Sequence, residues 1–293
     1  MILRSNGRLA ALIASLILVS AALRAAPNPT DRAKPPAVSA QSAILVDATT
    51  GKVLWEKASR VRRPPASTTK IMTAILAIEN GDMNSVVTAS EHCSKTPYGG
   101  LHMKPGEQLT MEHLMYGMLL RSSNDAAVCV AETIAGSEPA FMDMMNAKAV
   151  QIGAMDTHFV NPHGLYDPRH ISTAYDLALI TRYAIRDPLF NKMVRTKRYR
   201  IERSMNDLDV YLKNTARVLW RYEGADGIKT GYTKEAGRCF VGSATRGNWR
   251  LIAVCLHAAD AGADAAAILD YGFNNYKQVT WAKTDRPVVT PKV

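Results

Sequence analysis

Hydrophobic and polar positions repeat with two different periods along this chain, and the change of period divides it. Over residues 42–58, "SAILVDATTGKVLWEKA", two apolar runs flank the polar "ATTGK", which marks a β-hairpin. From residue 67 to about 190 the apolar positions follow helical spacing. This predicts helices over 67–80, 111–121, 125–135, 138–152 and 173–186, with Thr110 and Thr173 placed as N-caps. Beyond residue 195 strand-like segments return: "KRYRIE", "DVYLKNT", "DGIKTGYT", "RCFVGSAT" and "WRLIAVCLHA". A last helix over 262–276 carries "ILDYGF". The order strands, helices, strands, helix predicts an α/β fold of the α+β type: one antiparallel sheet completed by both chain ends, flanked by helices, with an all-helical subdomain inserted.

One helix breaks its own pattern. In "PPASTTKIMTAILAIEN", residues 64–80, apolar side chains occupy almost every position after the first turn, as in a helix buried on all sides. Yet that first turn holds Lys70, three positions after Ser67, so that the amine and the hydroxyl share one face. A lysine against a buried helix is poorly solvated, which lowers its pKa toward a value where it can accept a proton. Ser67 also lies at the positive end of the helix dipole, which favours an alkoxide. A Ser-x-x-Lys pair arises by chance about once in a chain of this length, so the pair alone assigns nothing.

The ends of the chain look different. Residues 1–25 place Arg4 and Arg8 before the apolar run "LAALIASLILVSAAL" and small residues after it, the order of a secretory signal peptide; the rival is an uncleaved membrane anchor. No cysteine lies near the cleavage site, which gives no support to a lipoprotein anchor. Residues 26–40 are Pro/Ala-rich and polar, as in a linker, leaving 41–277 as the folded domain and 278–293 as a tail. The tail holds Pro287 and Pro291 and no apolar face for a bilayer, so a chain starting at residue 27 is expected to be soluble and monomeric. Export changes what charge and cysteines mean. The formal net charge is +10, or +7 without Arg4, Arg8 and Arg24. Outside the cytoplasm that excess faces anionic membrane or wall polymer, and nucleic acid is excluded as a partner by location. The basic residues are scattered except in "KMVRTKRYRIER", which as a bland alternative is a solvated surface ribbon. Cys93, Cys129, Cys239 and Cys255 sit in apolar stretches at wide spacing and read as buried free thiols. The seven histidines show no metal-ligand spacing.

Two further motifs follow in order. "LLRSSNDAA" places Ser122 and Asn124 between two apolar helices, and "DGIKTGYT" places Lys229, Thr230 and Gly231 at a strand end, where glycine lets another backbone lie close. A serine–lysine pair, then Ser-x-Asn, then Lys-Thr-Gly is the motif set of penicillin-recognising serine acyltransferases. Together with "MKPGEQLT", "FVNPHGL" and "ILDYGF", in order over residues 41–276, the chain resembles the D-alanyl-D-alanine carboxypeptidases, the low-molecular-mass penicillin-binding proteins.

The resemblance implies a β-lactamase/transpeptidase-like fold and acyl transfer on the D-alanyl-D-alanine end of peptidoglycan stem peptides, with β-lactams as covalent inhibitors and no cofactor or metal. Ser67 would be the nucleophile, Lys70 its base and Ser122 a proton relay. Asn124 would bind a substrate amide, Lys229, Thr230 and Gly231 would line the site, and the N–H groups of Ser67 and Tyr232 would form the oxyanion hole. "NPHGL" reads as a turn without chemistry. Two departures stand out: Ser123 occupies the middle of Ser-x-Asn where relatives carry glycine, and "ADAGADAAA" lacks an arginine that helps many relatives hold the substrate carboxylate. The alternatives are a D,D-endopeptidase using the same machinery and a silent wall-binding or β-lactam-sensing module. A class A β-lactamase is disfavoured because no Glu-x-x-Leu-Asn segment occurs.

Overall fold

Period-two alternation puts Ile44 and Val46 on one face of the first strand and Ala43 and Leu45 on the other, and all four are buried. A strand buried on both faces needs a layer on each side. The structure, a computed structural model, describes residues 34–205 and 207–278. The leader expected over 1–25, most of the linker and nearly all of the tail lie outside the described residues. Ser39 and Ala40, at the end of the expected linker, are held by Asp264, which accepts from Ser39 N, Ser39 Oγ and Ala40 N at 3.0, 2.8 and 2.7 Å.

In chain order the elements are β1 (Ser42–Asp47), β2 (Val53–Lys57), a 3-10 turn (Ala66–Thr69) leading into α1 (Lys70–Asn80), β3 (Val86–Thr88), α2 (Glu91–Ser94) and β4 (Gln108–Thr110). Four longer helices follow, α3 (Met111–Leu120), α4 (Asn124–Ala135), α5 (Glu138–Ile152) and α6 (Ala174–Ala184), then the shorter α7 (Pro188–Arg195). The chain closes with β5 (Arg198–Arg200), β6 (Tyr211–Lys213), α8 (Val218–Arg221), β7 (Ala225–Thr233), β8 (Gly237–Arg246), β9 (Trp249–Ala258) and α9 (Ala261–Asn275). Thr110 and Thr173 cap α3 and α6 as expected, their hydroxyls accepting from His113 N and Asp176 N.

The main sheet is antiparallel in the order β2-β1-β9-β8-β7, so the N-terminal hairpin and the C-terminal meander complete one sheet, as the element order predicted. One face packs Ile44, Val241, Ile252 and Val254 against the helical block; the other packs Leu45, Phe240 and Leu251 against Ile268 and Leu269 of α9. Helix α1 is apolar all round because α3, α4, α5, α6 and α7 enclose it. Burial of Ile71, Met72, Ile75 and Leu76 stabilises the fold by about 2 kcal/mol for each side chain.

Three features depart from the sequence reading. The segments "KRYRIE" and "DVYLKNT" pair with each other and not with the main sheet. Their cores are three-residue strands that pair only with each other. A second small ribbon, β3 with β4, joins segments 20 residues apart and shows no local pattern of its own. Helix α7 was not predicted, although Asp187 caps it and Pro188 stands at its first position, a legible start signal.

Candidate active site

Helix α1 is entered through a strained corner. Ala66 adopts φ 49°, a left-handed conformation that side chains other than glycine rarely take, and it turns the chain so that Ser67 stands half-buried between buried neighbours. Thr68 Oγ1 donates to Pro65 O at 2.7 Å, and Thr69 Oγ1 donates to Ala66 O at 2.8 Å. Behind Thr69 lies His170, whose Nδ1 accepts from Val160 N at 3.1 Å; its proton is therefore on Nε2, 2.8 Å from Thr69 Oγ1. Burial holds the His170 imidazole neutral, with its pKa down to about 3. Two glycines close on this turn. A side chain at Gly231 of β7 would stand 3.0 Å from Ser67 N, and one at Gly164, where φ is +88°, would stand 2.9 Å from Ser67 N and overlap the Ala66 carbonyl.

Lys70 is fully buried, and its Nζ has three partners: Ser67 Oγ at 3.0 Å, Asn124 Oδ1 at 2.7 Å and the His163 carbonyl at 2.7 Å. Burial drives its pKa well below the ordinary lysine value, the charge of Lys229 lowers it further, and Asp125 opposes both. A neutral amine in this position keeps two N–H groups for Asn124 and His163 and turns its lone pair to the Ser67 hydroxyl. The geometry can thus carry a proton from Ser67 to Lys70 without rearranging the other two bonds.

The His163 carbonyl comes from "NPHGL", which is the predicted turn: Asn161 Oδ1 accepts from the N–H groups of His163 and Gly164 at 3.3 and 2.6 Å. Its contribution to the site is a backbone oxygen. The His163 ring is neutral, its pKa lowered to about 2 by burial and then by the charge of Lys70.

Ser122 and Asn124 bracket the turn between α3 and α4. Ser122 takes φ 65° and is half-buried; among the described residues no hydrogen bond joins its hydroxyl to the Ser67–Lys70–Asn124 network. Ser123 takes an ordinary φ of −61°, so the absence of the relatives' glycine leaves the turn intact. The Asn124 Nδ2 donates to Pro97 O and Tyr98 O at 3.1 and 3.3 Å, which aims the amide oxygen at Lys70. Next to it, buried Asp125 accepts from Leu101 N at 3.4 Å and Met103 N at 3.3 Å, so one carboxylate ties the 97–103 strap to the start of α4. The sequence reading missed Asp125. Its only signal was an acidic residue in a helix's first turn, which is common on helix-dipole grounds alone.

On β7, Lys229 is buried, its Nζ donates to Thr230 O at 3.0 Å, and burial lowers its pKa to about 7. Thr230 Oγ1 lies 3.1 Å from Thr215 Oγ1. Tyr232 is exposed, opposite Arg238 on β8, whose guanidinium carbon is 5.8 Å from the Tyr232 ring centre. The segment "ADAGADAAA", read as lacking an arginine, starts α9, and its Asp264 is bonded to Ser39 and Ala40.

A serine and a buried lysine at the head of an enclosed helix, beside the edge strand of a five-stranded antiparallel sheet, define a serine acyl-transferring peptidase of the penicillin-recognising class. The sequence profile of the D-alanyl-D-alanine carboxypeptidases (peptidase S11) matches residues 29–260. The D-alanyl-D-alanine carboxypeptidase DacF of Bacillus subtilis (strain 168) is 38% identical over 262 residues, 87% of this chain and 67% of the relative. The carboxypeptidase DacB2 of Mycobacterium tuberculosis is 36% identical, covering 80% of this chain and 82% of the relative. Among solved structures, a D-alanyl-D-alanine carboxypeptidase from Mycobacterium tuberculosis H37Rv superposes with a TM-score of 0.80 at 34% identity, covering 85% of this chain and 97% of that one. The Streptomyces K15 DD-transpeptidase superposes at 0.79 with 31% identity, covering 83% and 100%. The chain belongs to the D-alanyl-D-alanine carboxypeptidase family, and the antiparallel sheet with flanking helices is that family's fold.

Proposed function

We propose that this protein is an exported serine carboxypeptidase that removes the terminal D-alanine from peptidoglycan stem pentapeptides and is acylated by β-lactams. The observation that carries the reading is the buried Lys70 amine held between Ser67, Asn124 and the His163 carbonyl. Ser67 Oγ attacks the carbonyl between the two D-alanines as its proton passes to Lys70 Nζ. The oxyanion is met by the N–H groups of Ser67 and Tyr232, donors typically worth about 3 kcal/mol each. The proton held by Lys70 returns through Ser122 to the departing amine of D-alanine, and water then attacks the acyl carbonyl, its hydroxyl going to the acyl group and its remaining proton restoring the Ser67 hydroxyl. Asn124 holds Lys70 with one lone pair of Oδ1 and offers the other to a substrate amide N–H. Lys229 and Thr230 receive the terminal carboxylate, and Gly231, where a Cβ would stand 3.0 Å from Ser67 N, lets β7 lie against the turn that carries the nucleophile.

Labelled penicillin should attach to the wild type and not to Ser67→Ala, and D-alanine release from a pentapeptide should be lost in parallel. Label persisting on Ser67→Ala would overturn the assignment. Cleavage of a cross-linked dimer faster than release of D-alanine would replace carboxypeptidase with endopeptidase.

A further inference from the structure

The β5–β6 ribbon carries a charge arrangement that folding does not explain. Its inner face is ordinary: Tyr199 stacks on Tyr116 with ring centres 3.5 Å apart, and Leu212 is buried. On the outer face Arg198 stands directly opposite Lys213, and Arg200 opposite Tyr211, with the Arg200 guanidinium carbon 6.0 Å from the Tyr211 ring centre. Like charges paired across two strands destabilise a sheet. Lys197 adds a third cation to that pair, and Lys197 Nζ, the Arg198 guanidinium carbon and Lys213 Nζ lie 5.6, 5.5 and 5.3 Å from the centre of the Trp220 ring. The ring holds three cations together by their attraction to its π face. Among the described residues no ion pair neutralises Lys197, Arg198, Arg200 or Lys213. A shallow depression of about 330 Å³ is lined by the six ribbon residues themselves, Arg198, Tyr199, Arg200, Tyr211, Leu212 and Lys213.

We propose that this ribbon is a docking site for a carboxylate-bearing stretch of the peptidoglycan strand outside the reacting stem peptide. Guanidinium forks match carboxylates in a bidentate fashion, and stem peptides on neighbouring repeats present such carboxylates in series. The ribbon leads along the chain to the edge strand that carries Lys229 and Thr230: two residues beyond Lys213, Thr215 donates its N–H to Leu120 O at 3.1 Å and its Oγ1 lies 3.1 Å from Thr230 Oγ1. The inference rests on the proposed activity only for the identity of the polymer. The ribbon would select polymeric over short substrates without touching the reacting atoms.

The test compares wild type with Arg198→Gln/Arg200→Gln/Lys213→Gln and with the charge-preserving Arg198→Lys/Arg200→Lys/Lys213→Arg. On soluble glycan strands bearing pentapeptides, at low salt, the Gln variant should lose about ten-fold in kcat/KM, and salt should bring the wild type down toward it. Turnover of a short acyl-D-alanyl-D-alanine and acylation by penicillin should stay within about two-fold, and the charge-preserving variant, which keeps the charge but has one guanidinium fork in place of two, should fall between wild type and the Gln variant on the polymer. Equal losses on short and polymeric substrates, or none on the polymer, overturn the proposal. Sedimentation with purified peptidoglycan separates the two readings: a wild type that turns over no D-alanyl-D-alanine peptide sinks the activity, whereas ribbon-dependent sedimentation still supports the docking site. Sedimentation that is unchanged in the Gln variant overturns it, as does loss of binding to anionic phospholipid vesicles alone.

Discussion

Two buried lysines set the expected pH behaviour at the residue scale. The proposed acylation needs Lys70 neutral and Lys229 charged. Rate should rise with pH through the lowered Lys70 pKa and fall as pH passes the Lys229 value of about 7. Lys229→Arg, which cannot lose its charge, should remove the alkaline limb of kcat/KM, and a limb that persists unchanged would detach Lys229 from it. Lys70→Arg should abolish acylation by labelled penicillin while circular dichroism remains native. Asp125 raises the Lys70 pKa, so Asp125→Asn should move the acid limb to lower pH. Lys229 also carries a stability signature. Its folded pKa lies below its unfolded value, so between about pH 7 and about pH 10 the unfolded chain binds the extra proton and stability rises with pH. Thermal melts at pH 7 and 9 should show a gain in wild type that is reduced in Lys229→Met, and Lys229→Met should melt higher than wild type at pH 7. The Ser67–Lys70 pair was legible because helix geometry alone brings positions three apart together. The His163 carbonyl was not, since a backbone oxygen carries no residue-specific mark, and the sequence reading gave that turn no part in the site.

At the scale of elements, the site depends on close approach between the 3-10 turn, the 161–165 turn and β7. Gly164 is the tightest point: its φ is +88°, and a Cβ there would overlap the Ala66 carbonyl. Gly164→Ala should therefore cost about 3 kcal/mol and lower Tm by about 10 °C, with loss of acylation because the displaced group carries Ser67. A Tm within a degree or two of wild type would show that the two turns tolerate separation. The helical patterns over 111–121, 125–135 and 138–152 matched α3, α4 and α5 to within a residue at each end, since start and stop residues such as Thr110, Ser137, Gly136 and Gly153 act locally. The β5–β6 ribbon was harder. Its segments read as strands, but which strand pairs with which depends on contacts far from either.

Among the described residues, the segment before β1 is tied to the last helix, far along the chain. Asp264 at the start of α9 receives Ser39 and Ala40, on the sheet face away from Ser67. Asp264→Ala leaves the buried Ala40 N–H and the part-buried Ser39 N–H without their partner and should cost about 2 kcal/mol, while penicillin acylation stays within about two-fold of wild type. A matching loss of acylation would mean that the two sheet faces are coupled. Among the described residues no helix is long and apolar enough to cross a membrane. Local pattern by itself set the periods, caps and motif order, and hence the class of fold and the Ser67–Lys70 pair, because each rests on neighbours within a few positions; Asn124 reaches Lys70 from 54 positions away. Other features needed the folded chain: the lysine's third partner at residue 163, the carboxylate at 125 beside it, and the unpaired cations gathered on Trp220. These join residues many positions apart, and chain packing sets such distances where sequence spacing does not.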